Sequence, residues 1–171
     1  MGETNTNCRL CEGQTAPLFE ALVRNRHAAV FVRCGACGSV QAANPTWIDE
    51  SYSAATVSCD TGAALRCLRN LAALSAMSMS GLVQRRRRLI DYGGGSGLLC
   101  RLLRDAGFDA WGLDPYSKPE FSSDFSLDRI DSPTTITAFE VAEHLAAPLA
   151  TFTEIFSARP DIVAGECPVQ S

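Results

Sequence analysis

The sequence predicts an α/β protein, a parallel sheet with helices on its faces preceded by a small zinc-ribbon-like segment. Three observations carry that reading. Two CxxC pairs lie near the N-terminus, Cys8-Arg9-Leu10-Cys11 and Cys34-Gly35-Ala36-Cys37. A glycine run, Gly93-Gly94-Gly95-Ser96-Gly97, follows the apolar Leu89-Ile90. From residue 85 onward, short apolar runs alternate with helical ones, the pattern of a sheet wound through covering helices.

The first zone, residues 1–48, reads as a zinc-ribbon-like domain. Its cysteine pairs are separated by 22 residues. Two residues between cysteines let both thiolates face one ion from a tight turn. Four thiolates form the closed tetrahedral site of structural Zn2+, so Cys8, Cys11, Cys34 and Cys37 are the candidate metal ligands. A closed site leaves no position for substrate, which gives the metal a structural role. It would supply stability that fewer than fifty residues cannot easily draw from a core. The alternatives are an iron site and a redox CxxC, the latter without the βαβ context it needs. Ala28-Ala29-Val30-Phe31-Val32-Arg33 is β-rich. Cys59, Cys67, Cys100 and Cys167 lack ligand spacing and read as small apolar residues.

The second zone, residues 49–84, reads as a helical connector, with a helix over Thr61–Leu82 and Asp60 or Thr61 as its cap. Leu65, Leu68, Leu71, Ala72, Ser75 and Met79 recur at three- and four-residue steps and are expected to form its buried stripe. The uncharged run Asn70–Gln84 has 15 residues, short of the ~20 a membrane span needs. Arg85 to Arg88 reads as a solvated helix end, with a nucleic-acid patch as the alternative.

Composition bounds the function classes. Hydrophobic residues make up 46% and charged residues 20%, which argues against disorder. A net charge of −4 gives no global attraction to nucleic acid or anionic lipid. No export signal is visible, so a reducing, cytoplasmic setting is expected, with no membrane and no nucleic-acid partner.

The third zone, residues 85–171, is expected to hold strands at Leu89-Ile90-Asp91, Ala110–Leu113, Thr135–Phe139 and Ile162–Val163, with helices at Leu98–Ala106 and Leu149–Phe156. The dinucleotide motif GxGxxG fails, because its third glycine would fall on Leu98. DxGxGxG is met by Asp91, Gly93, Gly95 and Gly97. An acid at the strand end repels a pyrophosphate and suits an ammonium group, which favours S-adenosylmethionine. Asp114 ends the next strand, 23 residues after Asp91, where a carboxylate can accept both hydroxyls of a ribose. Glu140 follows Thr135–Phe139 and should face the crevice at the carboxyl ends of the strands. Asp124 lies in the segment expected to meet the adenine. His144 is a candidate general base, with a structural helix-end role as the alternative.

"LIDYGGGSG", "FDAWGLDPY" and "ITAFEVAEHL" resemble the first, second and fourth strand motifs of class I S-adenosylmethionine-dependent methyltransferases. "CRLC", "CGACGSVQ", "PTWIDESYS" and "DTGAALRCLRN" resemble the zinc-binding region fused to such a domain in bacterial methyltransferases of sugar or polysaccharide pathways. The resemblance implies a Rossmann-like, 85–171 domain that binds the cofactor. Gly93, Gly95 and Gly97 would line its methionine end, Asp114 the ribose and Glu140 the sulfonium side. By the same analogy Tyr52 and Asp60 border the active site. It also implies a strand order 3-2-1-4-5-7-6, by which the sequence is expected to stop short of the last two strands, after a fifth strand at Asp161–Ala164. The activity expected is methyl transfer to a small molecule, such as a sugar or polysaccharide precursor. The alternative is a catalytically inactive remnant serving as a protein-binding scaffold.

Overall fold

The computed structural model describes residues 7–23, 25–47 and 62–166. Tyr52, Asp60, Thr61, Cys59 and Cys167 lie outside them. Two sheets form. The N-terminal sheet is antiparallel, β1 (Thr15–Val23), β2 (His27–Cys34) and β3 (Val40–Ala42) in that order. A bulge between Pro17 and Phe19 interrupts the β1–β2 ladder. β2 buries Ala29, Val32 and Cys34. β1 buries little and leaves Leu18, Phe19 and Leu22 exposed.

The second sheet is parallel, with four strands in the order β5-β4-β6-β7. These are β4 (Leu89–Tyr92), β5 (Ala110–Leu113), β6 (Thr135–Phe139) and β7 (Ile162–Glu166). Helices α1 (Ala63–Met79), α2 (Leu98–Asp105) and α3 (Pro148–Ser157) accompany them. Strand period two sends alternate residues of β4 to opposite faces. Leu89 joins Leu74, Leu99, Leu103 and Phe108 in one core, under α1 and α2. Ile90 and Tyr92 join Ile136, Val141, Leu145 and Ile155 in the other, under α3.

Three expectations are corrected. α1 buries Asn70 and Leu74, with Cys67, Leu71 and Met77 packed beside them, while Leu65, Leu68 and Met79 face out. Leucine and alanine occur all round this helix, and packing against α2 selected a stripe that keeps Leu71 of the expected set but turns Leu65, Leu68 and Met79 outward. Its N-cap is Gly62, with no side-chain cap hydrogen bond, rather than Asp60 or Thr61. The arginine run is not a helix end. α1 stops at Met79, and Arg87 N–H closes a turn on the Gln84 carbonyl. Arg85 lies over the Phe108 ring and donates to the Ala106 carbonyl, and Arg88 pairs with Asp131 at 2.6 Å.

The strand expected outside β5 is reduced to a single parallel bridge, Gly112 with Ser126. The chain between β5 and β6 is rich in proline and polar residues, with Pro115, Pro119 and Pro133. Proline cannot donate to a ladder, and the segment instead turns through a one-turn 3-10 helix at Ser123–Phe125. The Phe125 ring meets Trp111 edge-on, and the Arg104 guanidinium stacks on Phe125. No helix among the described residues is long and apolar enough to cross a membrane.

Leu74 is fully buried between α1 and the sheet, whereas Leu68 is half exposed. Leu74→Ala is expected to lower unfolding free energy by about 2–5 kcal/mol, and Leu68→Ala by about 0.5 kcal/mol or less. Urea unfolding of both variants checks the assigned face.

Candidate functional site

The four N-terminal cysteines converge. Their sulfurs lie within 4.8 Å of one another. Cys8 Sγ is 3.6 Å from Cys37 Sγ, and Cys11 Sγ is 3.5 Å from Cys34 Sγ. Four sulfurs around one zinc at about 2.3 Å stand about 3.8 Å apart, so the cage has the right size. A disulfide requires about 2.0 Å, and all four are free thiols. The turns supply donors to sulfur, with Leu10 N–H on Cys8 and Ala36 and Cys37 N–H on Cys34. A Cβ on Gly13 would stand 3.2 Å from Cys34 Sγ and 3.3 Å from Cys11 Sγ, which explains a glycine there.

Electrostatics within the cage favour partial ionisation. Burial opposes charging Cys8, but the Ser39 hydroxyl and the Leu10 and Cys11 amides prevail and lower it to about 6. The Gly13 amide favours a charged Cys11, yet sharing with the Cys37 and Cys34 thiols holds it up at about 12. Packed thiols keep a proton among themselves, and a divalent cation displaces it.

The second cluster forms at the carboxyl ends of β4, β5 and β6. Parallel register sets Asp91 beside Thr137, and Thr137 Oγ1 donates to Asp91 Oδ1 at 2.7 Å. Asp91 Oδ2 is buried with no hydrogen-bond partner. Burial pushes the acid from 3.8 up to about 6, against the Thr137 hydroxyl, with Asp114 adding repulsion. The glycine loop curls over this carboxylate. A Cβ on Gly94 would lie 2.7 Å from Asp91 Oδ2, and one on Gly93 would lie 2.6 Å from Val141 Cγ2. Gly93 and Gly97 also have φ of +71° and +78°, a region that penalises side chains. Gly97 starts α2, and its N–H closes on the Gly94 carbonyl at 2.9 Å.

Asp114 braces the same loop. Its Oδ2 accepts Gly95 N–H at 2.8 Å, and its Oδ1 accepts Tyr116 and Ser117 N–H at 2.8 Å each. A carboxylate offers about four lone-pair positions. Three are taken, which leaves room for about one ribose hydroxyl while the Gly95 contact stands.

Glu140 follows β6 directly and has φ of +53°, a left-handed conformation costing about 1–3 kcal/mol in a non-glycine residue. Its Oε2 is 2.9 Å from Arg66 Nε of α1. His144 is exposed at the end of a 3-10 turn, Ala142–His144. Asp124 is exposed in the Ser123–Phe125 turn, next to Phe125 and its Trp111 and Arg104 partners. No described contact brings Asp124 to the glycine loop. Gly94, Thr137 and Arg66 escaped the sequence reading. Gly94 was visible within the glycine triplet, and Thr137 as a polar residue in an apolar strand. Arg66 carried no signal.

The glycine cradle and the orphaned Asp91 oxygen fit an amine-bearing ligand that carries no phosphate at this loop. A family model described as a methyltransferase domain matches residues 60–163. That span covers α1 and the parallel sheet through the second residue of β7. No curated protein matches the chain.

Two outcomes follow from this geometry. Between 3.8 and about 6 the folded chain keeps a proton on Asp91 that the unfolded chain has released, so stability falls as pH rises through that window. Asp91→Asn removes the penalty. Its advantage over the parent should be about 2 kcal/mol greater at about pH 7.5 than at about pH 4.5, read from denaturant melts. For the cysteine cage, native mass spectrometry is expected to find one zinc per chain, lost in Cys34→Ser.

Proposed function

The chain belongs to the family of methyltransferase domains, and from that premise we propose that it moves a methyl group from S-adenosylmethionine to a small-molecule acceptor. The observation that carries the cofactor assignment is the buried, unpartnered Asp91 Oδ2 beneath a loop of glycines. An uncompensated buried carboxylate is costly, and an ammonium donor offsets that cost. When bound, the cofactor would supply an electrophilic methyl carbon on a sulfonium, with a neutral thioether as the leaving group.

The chain's residues then have distinct tasks. Asp91 accepts hydrogen bonds from the cofactor's amine while Thr137 holds its other oxygen. Gly93, Gly95 and Gly97 give the loop its close approach. Asp114 keeps the loop in place through Gly95 and offers its remaining lone pair to a ribose hydroxyl. Glu140 follows the inner strand β6 directly, and its carboxylate would face the sulfonium side of a bound cofactor. His144 is our candidate to take a proton from an oxygen or carbon acceptor, and its exposure suits exchange with solvent. Alignment and exclusion of water, rather than covalent chemistry by the protein, supply most of the rate. Zn2+ at Cys8, Cys11, Cys34 and Cys37 supports structure.

A sugar or polysaccharide precursor is the acceptor class we favour. Support comes from the resemblance of the cysteine-rich region and its following segment to those of sugar-pathway methyltransferases. The scaffold reading draws on the exposed Leu18, Phe19 and Leu22 of β1.

Titration calorimetry with S-adenosylhomocysteine tests the proposal. Micromolar binding is expected for the zinc-loaded chain. Asp114→Ala and Asp91→Asn should each weaken it tenfold or more, about 1.4 kcal/mol. Absence of binding to a folded, zinc-loaded chain would leave the scaffold reading in its place.

A further inference from the structure

The segment Glu140–Leu145 leaves the carboxyl end of β6 and carries both Glu140 and His144. Two arginines from outside the parallel sheet hold its ends. Arg66, in the first turn of α1, pairs with Glu140 at 2.9 Å. Arg9, between two cysteines of the cage, donates from Nη1 to the Leu145 carbonyl at 3.2 Å. Val141 and Leu145 anchor the segment in the core beside Ile90, Ile136 and Ile155, while its internal backbone bonds are His144 N–H to the Val141 carbonyl and Leu145 N–H to that of Ala142. A left-handed Glu140 persists only where its surroundings dictate it.

Arg9 is in turn placed by the cysteine cage. Its N–H donates to Gln41 Oε1 at 2.9 Å, and Gln41 Nε2 donates to the Asn7 carbonyl at 3.1 Å. Cys8 and Cys11 flank it in the chain. Arg9 Nε is buried without a hydrogen-bond partner. A guanidinium desolvated for a single long-range carbonyl is a poor stability device, but it fixes one loop against another.

We propose that Arg9 and Arg66 are positioning residues for Glu140–Leu145, and that through Arg9 the metal at the four cysteines is coupled to cofactor affinity at the parallel sheet. The second half of this rests on the assignment of S-adenosylmethionine to the Asp91 loop. Loss of metal releases the Cys8–Cys11 turn, Arg9 leaves the Leu145 carbonyl, and the wall bearing Glu140 and His144 loosens. Coupling is reciprocal, so cofactor binding must tighten metal binding by the same factor.

The test is a four-state cycle on the full chain, wild type and Arg9→Gln, each with zinc and after chelation. Hydrogen exchange of amides 140–145 and S-adenosylhomocysteine affinity are the two readouts. Chelation should speed exchange across 140–145 and weaken affinity at least fivefold in the wild type. Zinc-loaded Arg9→Gln should retain its metal yet already show both changes, and chelation should add less than twofold. Arg9→Lys should recover part of the protection, and zinc-loaded Arg66→Gln should speed exchange from the Glu140 end. Equal effects of chelation in wild type and Arg9→Gln would overturn the coupling, as would unchanged exchange in zinc-loaded Arg9→Gln. If chelation unfolds the chain globally, the zinc-loaded comparison decides alone: acceleration confined to 140–145 supports the proposal and none overturns it. If no form binds S-adenosylhomocysteine, the cofactor assignment and its coupling fail, while the exchange readout still decides the positioning role.

Discussion

A carboxylate buried at the end of the central strand organises the parallel half of the molecule. Asp91 has one oxygen on Thr137 and the other facing the loop without a partner. Everything that follows β4 must respect it. The loop can pass overhead only where residues lack side chains, since a Cβ at Gly94 would run into that free oxygen and one at Gly93 into Val141. The turn that results starts α2 at Gly97 and places Gly95 N–H on Asp114. One buried charge thus dictates the composition of the loop, the start of a helix and the use of the neighbouring strand's acid. A buried carboxylate oxygen without a partner is costly, and a ligand amine is the partner we propose for it.

The antiparallel half obeys a different constraint. A lone three-stranded sheet buries little apolar surface, and β1 leaves much of its own exposed. The four sulfurs at one end are placed to hold a metal ion, and we propose that such an ion does the work of a core. The Cys8–Cys11 turn also carries Arg9 to the Leu145 carbonyl, at the end of the segment that bears Glu140 and His144. Arg66 does the same from α1. The wall beyond β6 is therefore assembled from three parts of the chain far apart in sequence.

Local patterns were readable where local physics decides. Strands β5 and β6 begin and end at the expected residues, Ala110–Leu113 and Thr135–Phe139, because apolar runs bounded by turn residues have few alternatives. Helix α2 ends within one residue of its expected limit. Reading failed where two answers were locally equivalent. The apolar positions of α1 permit two stripes, and only contact with α2 selects between them. β1, Thr15–Val23, lacks the alternation that marks a half-buried strand, since it buries neither face well. A third strand outside β5 was implied by likeness alone, and proline and polar residues in that stretch leave only one bridge.

By itself the sequence determined the chemistry available: four thiolates at ligand spacing, an acid before a glycine loop, and a second acid one strand later. Side-chain type and short spacing carry that information, since turns and strand ends are set by neighbouring residues. Tertiary structure decided how these groups are used. Strand register put Thr137 on Asp91, three backbone N–H groups occupied most of Asp114, and arginines 9 and 66 reached Leu145 and Glu140. An arginine on a helix or in a turn looks the same in sequence whether it faces solvent or another loop. Only the packing of separate elements brings its partner within hydrogen-bond reach.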